Sequence, residues 1–125
     1  MNILIVDDSK IVRRVLSNVL TRYFGDPTLY EAENGEEALI IMNTHKIDLI
    51  LLDWNMPVMN GEAVVDAVRK NKEWNKTRII MATTEGSKAN VLKMIKKGVN
   101  GYLVKPFQED NIIKTLQTVT ARMRP

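Results

Sequence analysis

Five short apolar runs, spaced along a chain of 125 residues, constrain its fold more than any other feature. They cover residues 3–6, 29–32, 49–52, 79–82 and 102–104. Each run has the length of a β-strand. Four of them lack the alternation of apolar and polar residues that is typical of a strand with one solvent-exposed face, so we expect those four to be covered on both faces. The run at 29–33 alternates imperfectly, which places it at an edge of the sheet.

Segments with helical spacing lie between these runs. In the first segment the apolar residues fall on one side of a helix that Ser9 is expected to cap: Ile11, Val12, Val15, Leu16, Val19, Leu20 and Phe24. The other side carries Arg13, Arg14 and Arg22, which we therefore expect to need no ligand. Further helices are predicted at 36–45, 61–71, 88–97 and 110–122, with Gly98 ending the fourth. Strict alternation of strands and helices predicts a three-layer α/β domain with a parallel sheet and right-handed crossovers.

Composition narrows the class of protein. The length fits one domain over residues 1–125, and we expect no output domain after the fifth helix and therefore output by binding. A net charge of +3 attracts nucleic acid or anionic lipid only weakly, and no apolar segment is long enough for a signal peptide or a membrane span. The absence of cysteine fits the cytoplasm. No glycine-rich phosphate loop can be built, and the sole histidine, His45, is expected at the surface.

Polar residues follow the predicted strands at the points where they end. Asp7 and Asp8 follow the first strand and Asp53 the third, while Thr83 ends the fourth and Lys105 follows the fifth. The carboxyl ends of parallel strands meet at one edge of the sheet, so these residues should converge. Taken singly, an aspartate after a strand is most often a loop or cap residue. The adjacency of Asp7 and Asp8, opposite Asp53, favours a functional site instead.

The chemistry of such a cluster calls for a cation. Three carboxylates within about 5 Å repel by roughly 3 kcal/mol per pair at an effective dielectric constant near 20. An all-oxygen set of this kind suits Mg²⁺, which keeps waters and phosphate oxygens in its shell. With a metal ion and Lys105 to neutralise charge, Asp53 can act as a nucleophile toward phosphorus, and Thr83 can hydrogen-bond the resulting phosphate.

Four motifs carry a resemblance to a known family. They are Val6-Asp7-Asp8-Ser9, Asp53-Trp54-Asn55-Met56-Pro57 followed by Met59-Asn60-Gly61, Thr83-Thr84-Glu85, and Gly101-Tyr102-Leu103-Val104-Lys105-Pro106-Phe107. Over nearly its whole length the sequence resembles the receiver domain of two-component response regulators. The resemblance implies a flavodoxin-like sheet of order 2-1-3-4-5 with helices on both faces.

The resemblance also implies a role for each site residue. Asp53 would accept a phosphoryl group from a histidine kinase. Mg²⁺ would be held by Asp8, Asp53, the carbonyl of Asn55 and, through water, Asp7. Thr83 and Lys105 would contact the phosphoryl oxygens, and Tyr102 would act with Thr83 as a switch. Asn55 and Glu85 would tune dephosphorylation toward a short-lived signal. The Lys105-Pro106 bond would be cis.

Trp54, directly after Asp53, resembles the chemotaxis branch of the family. The implied partner is then the flagellar motor switch protein, bound by a monomer through helix four, strand five and helix five, with a phosphatase as a further partner. Helix four carries basic residues that are expected to form a solvated face, of which Lys88 and Lys93 are candidates for an acidic partner segment: Lys88, Lys93, Lys96 and Lys97.

Two other functions fit parts of the pattern. A single-domain receiver in a phosphorelay outside chemotaxis would carry the same motifs. A phosphohydrolase of the haloacid dehalogenase type also forms an aspartyl phosphate with Mg²⁺, but usually has a second aspartate two residues after the first. In this chain that position is Asn55.

Overall fold

A computed structural model of the chain describes residues 1–121. The strands are β1 (Asn2–Val6), β2 (Thr28–Ala32), β3 (Leu49–Asp53), β4 (Arg78–Thr83) and β5 (Gly101–Val104). The helices are α1 (Lys10–Phe24), α2 (Gly35–Thr44), α3 (Gly61–Lys70), α4 (Lys88–Lys97) and α5 (Glu109–Thr120). The prediction that the fifth helix extends to residue 122 lies partly outside the described residues. A short 3-10 helix at Lys72–Trp74 was not predicted.

The sheet is parallel throughout and has the order β2-β1-β3-β4-β5, which confirms the predicted fold. Alternate residues of the central strands face opposite layers. Leu4 and Ile50, for example, pack with residues of α2, α3 and α4, whereas Ile3 and Leu49 pack with residues of α1 and α5. Both faces of the sheet are therefore covered, as continuous apolar strands require.

The two edges of the sheet differ from the prediction in one respect. β2 and β5 form the two edges, as the predicted strand order requires, but the expectation that β5 is covered on both faces is wrong. Its central residue Leu103 is buried, whereas Tyr102 is 42% and Val104 43% exposed. The alternation of burial is invisible in the sequence because the exposed side chains of this strand are themselves apolar.

Helix α1 begins as predicted, but the side that it buries differs from the predicted apolar side. The side chain of Ser9 accepts a hydrogen bond from the Val12 N–H at 3.3 Å and caps the helix. Leu16 and Leu20 are buried against the sheet, whereas Ile11 is 77% exposed, so the predicted apolar side is only partly buried. No helix within residues 1–121 has both the length and the apolar character needed to cross a membrane.

At the amino-terminal end of the strands, Arg69 joins three segments. Its Nε donates to the Gly98 carbonyl at 2.9 Å, Nη2 to the Asn100 side chain at 3.0 Å, and Nη1 to the Trp74 carbonyl at 3.4 Å. The Asn100 side-chain oxygen also accepts from the Ile79 N–H at 2.8 Å. Burial lowers the pKa of Arg69, with a smaller contribution from the nearby Arg78. These contacts tie α3, the 3-10 helix and the turn between α4 and β5 together.

Candidate functional site

Three acidic side chains meet at the carboxyl edge of the sheet. One carboxylate oxygen from each of Asp7, Asp8 and Asp53 lies within 4.8 Å of the other two. The strands that carry them, β1 and β3, are paired neighbours whose ends coincide, with Val6 opposite Leu52. Asp7 and Asp53 are buried, while Asp8 is exposed. A buried oxygen set that opens to solvent through one carboxylate suits a hard divalent cation that keeps part of its hydration shell.

Lys105 contacts both buried acids of the cluster. Its Nζ lies 3.0 Å from Asp7 Oδ2 and 3.2 Å from Asp53 Oδ1. The backbone N–H of Lys105 donates to the Thr83 carbonyl at 2.7 Å, which continues the β4–β5 pairing past the end of β5. The Lys105-Pro106 bond is cis, as the resemblance implies. The structure thus brings together the four charged residues that the strand ends predicted.

One ammonium does not balance three carboxylates. Burial raises the pKa of Asp53, and the charge of Asp7 raises it further, while Lys105 and the Asn55 N–H act in the opposite direction without cancelling the effect. Burial by itself would lower the pKa of Lys105, but its bond to Asp7 and the charges of Asp53 and Asp7 outweigh burial and raise it. The cluster therefore favours additional positive charge.

The loop between β3 and α3 is built closely around Asp53. The Asn55 N–H donates to Asp53 Oδ1 at 3.3 Å, and the Gly61 N–H donates to the Trp54 carbonyl at 3.0 Å. A Cβ on Gly61 would lie 2.4 Å from the Asp53 carbonyl oxygen, so only glycine allows α3 to start this close to the strand. Val58, in the same loop, has φ of 68°, a left-handed conformation that is costly for a β-branched residue.

Thr83 is buried at the end of β4, but its hydroxyl is engaged away from the acids. Thr83 Oγ1 accepts from the Glu85 N–H at 3.0 Å and donates to the Glu85 carbonyl at 3.4 Å. The Asn90 side chain donates to that same carbonyl at 2.7 Å. The side chains of Glu85 and Tyr102 are exposed. In the predicted switch pair, Thr83 is therefore hydrogen-bonded to the β4–α4 loop and Tyr102 is exposed to solvent.

Comparison with known proteins identifies the family. The sequence profile of the response regulator receiver domain matches residues 3–117. The chain belongs to the response regulator receiver family. Over 95% of its length it is 44% identical to a chemotaxis protein CheY homolog of Campylobacter jejuni, of which the match covers 92%. It is 42% identical to chemotaxis protein CheY1 of Helicobacter pylori, over 95% of this chain and 96% of that protein.

Solved structures agree with this assignment. The chemotaxis response regulator CheY4 of Vibrio cholerae superimposes with a TM-score of 0.86 at 38% identity, covering 94% of this chain and 97% of that one. A response regulator from Chloroflexus aurantiacus gives a TM-score of 0.87 at 30% identity, covering 97% and 98%. This receiver is thus a signalling protein homologous to chemotaxis response regulators. The homology favours neither the receiver outside chemotaxis nor the phosphohydrolase.

One residue of the receiver site was missed at the sequence level. Arg13, expected on the polar side of α1 without a ligand, is 7% exposed and lies beside the acid pair. Its Nη1 donates to the Asp7 carbonyl at 2.7 Å, and its Nε donates to Glu31 at 2.8 Å. Two signals were available. Arg13 is three residues before the buried Leu16, on the same helix face, and the edge strand beside β1 carries Glu31.

The basic residues of α4 also differ from expectation. Lys93 lies 3.4 Å from Glu62 of α3 and 5.9 Å from the centre of the Trp54 ring, while Lys97 lies 3.0 Å from Glu62 and 3.1 Å from Asp66. Lys93 and Lys97 are therefore engaged by α3 and are not simply solvated. Lys88 and Lys96 form no ion pair with any of residues 1–121.

Proposed function

We propose that this receiver accepts a phosphoryl group on Asp53 from a histidine kinase and signals, in the manner of chemotaxis response regulators, by binding a partner. The observation that supports the proposal best is the environment of Asp53. Its buried carboxylate ends β3, contacts the Lys105 ammonium at 3.2 Å, and shares a cluster with two further acids. The names of the relatives support a chemotactic pathway and, with it, a cytoplasmic protein.

Mg²⁺ is the proposed cofactor, and the residues present fit it. The donors would be the carboxylates of Asp8 and Asp53 and the carbonyl of Asn55, with Asp7 acting through water. The raised pKa of Asp53 and the excess of acids over ammonium groups support a site for a divalent cation. When bound, the ion would supply positive charge beside the transferred phosphoryl group.

The chain's own residues would divide the remaining work. A carboxylate oxygen of Asp53 forms a bond to phosphorus as the bond from phosphorus to the histidine nitrogen of the donor breaks, and the imidazole leaves with that electron pair. Lys105 holds the carboxylate and stabilises charge on the phosphoryl oxygens. Thr83 would reach those oxygens after releasing the backbone of Glu85. The side chains of Asn55 and Glu85 are both exposed, and we propose that they tune hydrolysis toward a short-lived signal.

The partner surface proposed for output is the face formed by α4, β5 and α5. A groove of about 540 Å³ lies there, and Ile95, Tyr102 and Val104 line it with apolar side chains that are 53%, 42% and 43% exposed. Lys88 and Lys96 on α4 add charge that suits an acidic segment. We propose the flagellar motor switch protein as the partner, bound by a monomeric receiver, with a phosphatase ending the signal.

Transfer from acetyl phosphate tests the proposed function. The wild type should incorporate radiolabel with Mg²⁺ and lose that incorporation with EDTA, and Asp53→Asn should abolish it. Asp26→Asn, which changes an exposed aspartate outside the site, is the matched control and should label normally. Labelling of Asp53→Asn at the wild-type level, or labelling that is indifferent to EDTA, would refute the proposal.

A further inference from the structure

We infer that Arg13 is a positioning residue that fixes the direction of the Asp7-Asp8 pair and thereby sets the affinity of the receiver for Mg²⁺. The inference rests on the proposed function, because it assigns these acids to a metal site. It concerns a side chain whose ion pairs, among residues 1–121, are with Glu31 and Glu33 and not with Asp53.

Asp7 is fixed at every polar atom. Its N–H donates to the Ala32 carbonyl at 3.1 Å, Oδ1 accepts from the Ser9 N–H at 2.8 Å, and Oδ2 accepts from Lys105 at 3.0 Å. Its carbonyl accepts from Arg13 Nη1 at 2.7 Å, in a buried hydrogen bond. The Arg13 guanidinium is thus what holds the carbonyl end of this residue.

That carbonyl belongs to the peptide group that joins Asp7 to Asp8. Since peptide groups are planar, holding the oxygen fixes the orientation of the whole unit and the backbone direction from which the Asp8 side chain departs. Asp8 is exposed, and among residues 1–121 its carboxylate has no hydrogen-bond or ion-pair partner that could hold it instead. The placement of Asp8 therefore depends on its backbone, and Arg13 holds the carbonyl of the peptide group that leads into it.

Arg13 is itself held from the other side. Its Nε lies 2.8 Å from Glu31, its Nη2 lies 3.9 Å from Glu33, and its side chain is 9% exposed. Glu31 lies in β2 and Glu33 directly follows that strand, near the point where Ala32 pairs with Val6 of β1. The planar guanidinium can serve a carbonyl and a carboxylate at once, which a lysine ammonium on a flexible stem does less well.

Charge and positioning predict opposite results for the loss of Arg13. A cation close to the acids repels Mg²⁺, so a purely electrostatic influence means that neutralising Arg13 tightens metal binding. If Arg13 positions the acid pair, neutralising it weakens metal binding. Substitution of outer residues that orient metal ligands typically lowers affinity by about 10- to 100-fold, and we expect about tenfold here because Asp53 and Lys105 stay in place.

The test is a Mg²⁺ titration of Trp54 fluorescence in a Trp74→Phe background, comparing Arg13→Gln with Arg14→Gln. Arg14 is the exposed neighbour on α1 and carries the same charge, so it controls for electrostatics. We expect Kd for Mg²⁺ to rise about tenfold in Arg13→Gln and to stay within about twofold of wild type in Arg14→Gln. Arg13→Lys should give an intermediate rise, and raising the salt concentration should not abolish the difference.

The outcomes separate the two proposals. If the wild type shows no Mg²⁺ response, the proposed function fails. If the wild type binds Mg²⁺ but Arg13→Gln binds it equally well or more tightly, the positioning role of Arg13 is overturned and the proposed function stands. Circular dichroism checks that each variant is folded. Should Arg13→Gln not fold, Arg13→Lys and Glu31→Gln carry the test, and wild-type affinity in both would overturn the inference.

Discussion

Lys105 and Asp53 are in contact at 3.2 Å, Nζ to Oδ1, yet the pKa of Asp53 is raised. The cause is that burial and the adjacent Asp7 disfavour the carboxylate more than the single ammonium favours it. Ionised Asp53 therefore destabilises the metal-free fold, and the destabilisation has a definite dependence on pH.

Asp53→Asn should stabilise the metal-free protein at neutral pH. Because the pKa of Asp53 is higher in the folded than in the unfolded state, the free energy of unfolding falls as pH rises between the two values and stays lowered above the folded one. We expect the variant to gain on the order of 1 kcal/mol at about pH 7, and nothing near pH 3, below the unfolded pKa. Urea unfolding in EDTA across this range measures it.

The control for that experiment is Asp26→Asn, which should leave the profile of the wild type unchanged. A variant Asp53→Asn that is less stable than wild type at neutral pH, or whose advantage grows as pH falls, would contradict the sign of the effect. Saturating Mg²⁺ should reverse the order of stability, since the wild type then gains binding free energy that the variant lacks.

Tyr102→Ala should separate phosphorylation from output. Tyr102 lies on the outward side of the edge strand β5 and contacts none of the acids through a hydrogen bond in the described residues. We expect acetyl phosphate labelling of Asp53 to persist while affinity for the proposed partner, the flagellar motor switch protein, falls about tenfold in the presence of beryllofluoride, as for an aromatic interface residue. Tyr23→Ala, on α1, controls for loss of an aromatic residue elsewhere. Loss of labelling in Tyr102→Ala would contradict the division of roles.

Val58→Asn should stabilise the loop after Asp53. Val58 holds φ at 68° with its side chain 74% exposed, so the native position gains little from burial and bears the cost of a left-handed valine. Asparagine tolerates this conformation far better, and we expect a gain of about 1 kcal/mol in the free energy of unfolding. Thermal and urea unfolding measure it. An equal or lower stability would show that the valine is not strained.

Gly61→Ala should be strongly destabilising. The added Cβ would lie 2.4 Å from the Asp53 carbonyl oxygen and 2.9 Å from the Trp54 Cα, both backbone atoms that cannot rotate away. We expect a loss of about 2–3 kcal/mol, together with weaker Mg²⁺ binding because the strand end shifts. Gly86→Ala is the matched comparison. Its Cβ would meet the Val104 side chain at 2.6 Å, which can move, so its cost should be smaller.

Lys93→Ala should change the fluorescence of Trp54. The Lys93 ammonium lies 5.9 Å from the ring centre and 3.4 Å from Glu62, so its removal alters the charge next to the indole. We expect a shift in the Trp54 emission in a Trp74→Phe background. Lys96→Ala removes a lysine of the same helix that forms no ion pair with residues 1–121, and it should leave the emission unchanged. Identical spectra for both variants would exclude the contact in solution.

Much of the site was predictable because it depends on strand ends. A run of apolar residues that stops at an aspartate locates that aspartate at the carboxyl edge of a parallel sheet, so Asp7, Asp53 and Lys105 could be brought together without coordinates. The same rule located Thr83. It did not say which way the threonine hydroxyl points, because that depends on the backbone of Glu85 in a loop without periodicity.

What the sequence concealed depends on tertiary partners. Arg13 is buried because Glu31 and the Asp7 carbonyl accept its hydrogen bonds, whereas its residue type alone assigns an arginine to solvent. Lys93 and Lys97 are engaged because α3 places Glu62 opposite them. β5 is an edge strand whose exposed residues are apolar, so its polarity pattern resembles that of a central strand.

The three hydrogen bonds of Arg69 lie at the opposite end of the strands from the acids. They anchor the end of α4 and the start of β5, while in the first turn of α4 the Asn90 side chain donates to the Glu85 carbonyl, in the loop whose backbone also holds Thr83. A displacement of the loop that holds Thr83 would then move the amino-terminal end of α4 most. Its carboxyl-terminal end, held by Arg69, would move least.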